Sequence, residues 1–207
     1  MELTYYGANC LRIATKKAQI VVDDNLASLG LRPVTKPTDI SLRTSEAIPV
    51  HQSRFEVRLA GEYEISGMVI HGVAAQPYME EKKRRSATVY TIAADDMKVA
   101  IMGHIHPQLD EEQLEQIGMV DIVVVPVGNG GYTLDGIGAL KIIKQIEPKA
   151  IIPTHYADKA IRYAVSQVEL AEALKSLAME PAETLDRYKP KPADWTDTAR
   201  LIVLKRQ

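Results

Sequence analysis

Histidines and aspartates at the ends of apolar runs are where this chain could do chemistry. The stretch PKAIIPTHYAD (148–158) delivers His155 at the end of an apolar run, Ala150-Ile151-Ile152-Pro153. A chain presents a metal ligand or a catalytic base at the rim of a sheet in this way. His104 and His106 stand at alternate positions in GHIHP, so an extended backbone would set both rings on one side, able to chelate one ion. Asp23 ends the run QIVVDD, and Asp135 lies just before a helical pattern. A catalytic zinc takes about three protein ligands and keeps an open position for a water, whose pKa it brings to about 7. His104 and His155 would supply two nitrogens if the fold makes them converge. The third ligand would be His106, Asp23 or Asp135.

Each of these residues also has a plainer role. His155 could hydrogen-bond in a shallow cleft, Asp23 could hold a turn or loop backbone, and Asp135 could cap the helix it precedes. His71 on a strand and His51 in a loop read as structural or solvated. Gly128-Asn129-Gly130-Gly131 resembles a phosphate cradle but lacks the Lys-Ser/Thr of a P-loop. It could still offer backbone N–H groups to an anion. The run EEKKRR (80–85) reads as a solvated loop or a contact for a charged partner. Cys10, in apolar company, reads as a small buried hydrophobe rather than a nucleophile.

The elements that must position these groups fall into two halves. In the first, short β-branched or aromatic runs are bounded by Gly, Lys-Lys or Asp: LTYY (3–6), LRI (11–13), QIVV (19–22) and DISL (39–42). FEVRL (55–59) alternates as a half-buried strand does. GEYEI (61–65) and MVIH (68–71) flank Ser66-Gly67, and TVYTI (88–92) and KVAIM (98–102) flank Ala94-Asp95-Asp96, which predicts two hairpins. In the second half helices alternate with apolar strands. Residues 110–117 are helix-prone and stop at Gly118, and 121–127 form a continuous apolar strand. Residues 134–146 read as a helix with Ile137, Leu140, Ile143 and Lys144 at three- and four-residue spacing, closed by Pro148. Residues 150–153 form another buried strand, 168–177 an amphipathic helix and 200–204 a last strand. Strands followed by alternating strands and helices imply stacked sheets covered by helices, expected here as a single α/β (α+β) domain over 1–207.

Bulk properties narrow the function classes. The 207 residues suffice for one sizeable core; 46% are apolar and 25% charged, ordinary for a globular protein. A formal charge of −2 with no basic stripe argues against nucleic acid and against an anionic membrane surface. With one cysteine no internal disulfide can form, which suits a reducing cytoplasm. MELTYYGANC has no basic region followed by an apolar stretch, so no signal peptide is expected, and no apolar run approaches the ~20 residues of a membrane span.

The order of pieces resembles the metallo-β-lactamase fold, a four-layer αββα sandwich, in its small Zn-dependent hydrolase branch related to L-ascorbate-6-phosphate lactonase. YYGANCLRI is similar to that family's opening G-H-[SA]-C-[FL], and IVVDD to its strand ending in Asp-Pro, with Asp23 in place of the first motif aspartate. GEYEISGMVIHGV is similar to P-G-E-Y-E-x-x-G. DEEQLEQIGMVDIVVVPVGNGGYTLDGIGALKIIKQIEPKAIIPTHY resembles the family's run through P-V-G-G-x-Y-T-x-D and I-P-x-H-Y. The likeness spans nearly the whole chain.

The resemblance also implies where ligands should stand. The family's His-x-His-x-Asp-His falls on Ser45-Glu46-Ala47-Ile48-Pro49-Val50, with His51 one place beyond. Its next histidine falls on Met79, after Gln76-Pro77-Tyr78, and its bridging aspartate on His104; its last histidine is His155. The expectation is therefore a degenerate member of the fold, a pseudoenzyme without a dinuclear metal centre or other cofactor, which binds a small molecule or a protein. The rival is a lactone or phosphoester hydrolase with one zinc or manganese ion on a rebuilt site at His104 and His155. A homo-oligomer fits either.

Overall fold

The computed structural model describes residues 1–79, 85–196 and 198–207. Most of the charged run at 80–85 lies outside the described residues. A tight turn joins β1 (Glu2–Gly7) to β2 (Cys10–Ala14), and β3 (Gln19–Val22) continues antiparallel. β4 (Ile40–Leu42) and β5 (Phe55–Val57) then add in parallel, giving a sheet in the order β1-β2-β3-β4-β5.

The second sheet begins as an antiparallel meander. It comprises β6 (Gly61–Ile65), β7 (Met68–Ala75), β8 (Ala87–Ala94) and β9 (Met97–Ile101). The two expected hairpins are present. Their turns, Ser66-Gly67 and Asp95-Asp96, hold both residues at positive φ, as tight hairpins with right-handed strand twist require. α1 (Glu111–Ile117) follows, with Asp110 as its N-cap: Asp110 accepts from the Gln113 N–H while the Gln113 side chain reaches back to the Asp110 N–H. Next come β10 (Ile122–Pro126), α2 (Gly136–Ile146), β11 (Ala150–Thr154), α3 (Leu170–Leu177), β12 (Pro181–Leu185) and β13 (Arg200–Leu204). The parallel half extends the meander to eight strands in the order β12-β13-β11-β10-β9-β8-β7-β6.

Period-two alternation sorts the apolar residues between two cores. Val99 and Ile101, Ile122 and Val124, and Ile152 face the first sheet, where they meet Leu3, Leu11, Ile13, Ile20, Ile40 and Leu42. Ala100, Val123, Val125 and Ile151 face the helices. Strands covered on both sides need apolar residues at every position, which is why β10 and β11 read as unbroken runs. The buried stripe of α2 is Ala139, Ile142, Ile143 and Ile146. Of the residues whose spacing marks the helix, Ile143 lies in this stripe, Leu140 packs beside it and Ile137 is exposed. The outer face of the smaller sheet carries no α-helix among the described residues. A 3-10 turn, Leu26–Leu29, covers it instead, clustering Leu26 with Cys10 and Val21. Two layers of sheet with helices outside match the metallo-β-lactamase sandwich. No described helix is long and apolar enough to cross a membrane.

Candidate functional site

Parallel strands all end on one side of their sheet, so the loops after them gather there. In this molecule the carboxyl ends of β3, β4, β9, β10 and β11 bring Asp23, Thr44, His104, the 128–133 loop and His155 into one corner. His155 follows β11 in the left-handed region, φ 56°, and its N–H donates to the carbonyl of Ala8 at 2.7 Å. A non-glycine residue held there is strained and kept so by its surroundings. Gly128 lies flush against it, because a Cβ at 128 would stand 1.8 Å from the His155 carbonyl oxygen.

The two imidazoles converge as expected. Their ring centroids are 4.6 Å apart, edge to face. Tyr132 stacks 4.8 Å from His104, and Tyr163 lies 5.1 Å from His155. His155 Nδ1 donates to Gln167 Oε1 at 3.1 Å, which leaves Nε2 as the lone-pair nitrogen of the neutral ring. His104 Nδ1 shares a 2.9 Å hydrogen bond with Thr133 Oγ1, while its buried Nε2 has no partner. Burial lowers the pKa of His155 to about 4, against the opposing pull of its bond to Gln167. It also pushes His104 well below the usual histidine range, with His155 adding to the effect. Both rings are neutral at physiological pH.

Asp23 is fully buried and held by three donors. Oδ1 accepts the Thr44 N–H at 2.8 Å; Oδ2 accepts the Thr44 hydroxyl at 2.7 Å and Asn9 Nδ2 at 2.8 Å. Asn9 Oδ1 in turn accepts from Thr154 Oγ1 at 2.8 Å. Burial raises the Asp23 pKa even so, outweighing these donors and the nearby Arg43 guanidinium. Asp135 serves as the N-cap of α2, accepting the Gly138 N–H at 2.6 Å. His106 departs from expectation. Its segment pairs with 76–78 through one antiparallel bridge, Ile105 to Pro77, closed by the His106 N–H on the Gln76 carbonyl and the Tyr78 N–H on the His104 carbonyl. His106 lines a separate recess with Lys141 and Gln145, away from His155. His104 instead packs against Tyr132 and His155. Among the described residues no three His, Cys, Asp or Glu side chains are grouped to hold a metal.

A cleft of about 330 Å³ opens beside this corner. The segment after β4 contributes Ala47 and Ile48 to its wall, and Arg43 pins that segment by donating from Nη1 to the Ile48 carbonyl at 2.6 Å. Tyr132, His155 and Tyr163 form another wall, and Arg162 stands at the rim. Sequence reasoning missed Asn9, Thr44, Thr154, Arg162 and Tyr163. None stands in a spacing that marks chemistry; they matter only through what the fold places beside them.

A family model described as "Beta-lactamase superfamily domain" matches residues 2–155. A metal-dependent hydrolase of the UPF0173 group from Carboxydothermus hydrogenoformans is 45% identical over 47 residues, 23% of this chain and 20% of that protein. The match thus spans about a fifth of that relative. Among solved structures, a protein from Thermotoga maritima described as a Zn-dependent hydrolase of the metallo-β-lactamase superfamily superposes with TM-score 0.75. It has 22% identity and covers 99% of this chain and 98% of that one. YhfI from Bacillus subtilis, a metallo-β-lactamase fold protein, gives TM-score 0.60 at 6% identity, over 99% and 96% of the two chains. Likeness at these identities concerns the fold.

Proposed function

The chain belongs to the β-lactamase superfamily, and we propose that within it this protein is a small-molecule binder that has given up the dinuclear metal centre and, with it, metal-dependent hydrolysis. The ligand count carries this reading: among the described residues no three His, Cys, Asp or Glu side chains are grouped for an ion. The aspartate that the family resemblance offers as a ligand has both oxygens occupied by three short hydrogen bonds. Those bonds turn the carboxylate toward Thr44 and Asn9 and leave one lone pair on Oδ1. The segment 45–50 supports the same view, since it contributes Ala47 and Ile48 to the cleft and neither side chain can ligate. His104 and His155 remain, two nitrogens where a catalytic zinc needs about three protein ligands. The residues present therefore do not fit the metal centre. Neutral imidazoles flanked by tyrosines do suit a cleft that holds a small molecule by ring contacts and a few hydrogen bonds. Buried, unpaired Cys10 suits a reducing compartment, which we take to be the cytoplasm.

One observation favours the second reading, a hydrolase with a single metal at His104 and His155. The buried Nε2 of His104 lacks a partner, and proteins similar to this one are described as metal-dependent hydrolases. Elemental analysis of protein purified without chelator separates the two. The binder reading expects less than about a tenth of an equivalent of bound metal, because two nitrogens alone hold zinc or manganese weakly. A stoichiometric ion, together with lactone or phosphoester hydrolysis that disappears in His155→Ala, would overturn it.

A further inference from the structure

We propose that the cleft beside His155 selects a small organic anion with a flat apolar body, an aromatic carboxylate in the simplest case, whose charge is met by Arg162. This deepens the binder reading and rests on it. Among the described residues Arg162 is the only charged side chain on the cleft, and its guanidinium makes no ion pair or hydrogen bond. The nearest acid in sequence, Asp158, is taken by Arg206 at 2.6 Å.

Arg162 is also held in place. Its N–H donates to the Leu29 carbonyl at 3.0 Å, and its stem lies across Gly30, where a Cβ would meet Arg162 Cδ at 3.3 Å and Nε at 3.5 Å. The arm is thus packed on the end of the 3-10 turn while the residue stays exposed at the rim. A guanidinium fixed by its stem offers a planar fork to a carboxylate at small entropic loss.

The remaining surfaces specify the body of the ligand. Tyr132, His155 and Tyr163 line the cleft with mutually packed rings, and Ile48 lines it with an aliphatic side chain. Burial keeps the imidazole uncharged, so it neither competes with Arg162 for the anion nor repels an apolar ring. One cation among rings and aliphatic groups is complementary to a monoanion with a flat body. Among the described residues no carboxylate lines the cleft, and Arg162 repels a cation at its rim. About 330 Å³ lies at the small end of ligand sites, which suits a compact molecule rather than a peptide.

The test is titration with benzoate, benzamide and benzylamine, followed by NMR of the His155 ring protons and by calorimetry, on wild type and Arg162→Gln. Benzoate is expected to bind saturably and about tenfold more tightly than benzamide, the worth of one partly exposed charge-assisted contact. Benzylamine should bind least. Arg162→Gln, a substitution at an exposed position, should keep the fold by circular dichroism and remove the preference for benzoate. Equal binding of benzoate and benzamide, or a preference that survives Arg162→Gln, overturns the anion assignment while leaving the cleft a binding site. No saturable shift with any of the three overturns the proposal. Failure of the binder reading has a different signature, bound metal with hydrolysis, whatever benzoate does.

Discussion

Thr44 is the residue on which Asp23 most depends, since it donates twice to one carboxylate. Thr44→Val keeps the shape and the N–H bond but removes the hydroxyl. A buried acceptor left short of a donor costs about 1–3 kcal/mol, and denaturant unfolding at neutral pH should register that loss. An unchanged midpoint would show that water replaces the hydroxyl. Asp23 itself has a pKa raised by burial, so its charge opposes folding once it ionises. Its favourable contribution exists below the unfolded pKa of about 3.9 and fades as pH rises through the higher folded value. Asp23→Asn should therefore compare better with wild type at neutral than at acid pH. His155 acts in the other sense. Its folded pKa of about 4 lies below the unfolded 6.5, so the stability tied to its neutral form is present above pH 6.5 and lost as pH falls toward 4. Complete titration corresponds to something on the order of 3 kcal/mol. The melting temperature should drop across that window, and less steeply in His155→Gln.

At the scale of elements, the crossing of α2 and α3 is close enough to be tested with one methyl group. A Cβ on Gly136 would come within 2.5 Å of Ser176 Cβ and 2.7 Å of the Ala173 carbonyl oxygen. Helix propensity alone makes Gly→Ala favourable by about 1 kcal/mol. Overpacking costs about 1–3 kcal/mol, so Gly136→Ala should be net destabilising in a thermal melt. A gain would mean the two helices separate freely. Most elements could be read from the chain because each carries a local signal: the two hairpin turns at Ser66-Gly67 and Asp95-Asp96, the cap at Asp110, and the unbroken apolar runs of β10 and β11. β12 could not. Pro181 to Leu185 is an edge strand whose residues are exposed or half-buried, so neither alternation nor an apolar run marks it. The spacing that marks α2 as a helix does not select its buried face, because apolar residues occur on two sides, and only contact with the sheet selects Ala139, Ile142, Ile143 and Ile146.

For the whole molecule, fold and site were legible to different degrees for one physical reason. Local patterning reports which elements form, whereas the site depends on partners remote in the chain. Asp23 meets Thr44 across 21 residues and Asn9 across 14; Thr154 meets Asn9 across 145. His104 and His155 could be proposed together through the resemblance, but the donors around Asp23 and the packing of Arg162 on Gly30 leave no trace in spacing. A global measurement follows from the ligand count. An ion that binds only the folded state at a hundredfold excess over its Kd adds about 2.7 kcal/mol, visible as several degrees in Tm for a chain of this size. Added Zn²⁺ or EDTA is expected to leave the Tm in place. A clear rise with Zn²⁺ would count against the binder reading.

The hydrogen bond from Thr154 to Asn9 carries one more consequence, for the order of events in folding. Both hairpins can close early, because their ends are near neighbours in the chain. The corner at Asp23 needs β11 docked beside β10 and the β1–β2 turn, which carries Asn9, brought up to its end, the kind of distant closure that slows folding. It should be the last region to gain protection from amide exchange during refolding. Protection of Thr44 ahead of the β7–β8 amides would reverse that order. A chain halted short of this closure would hold most of its strands and none of its recognition surface, so affinity, once a ligand is in hand, becomes a gauge of how many molecules have finished folding.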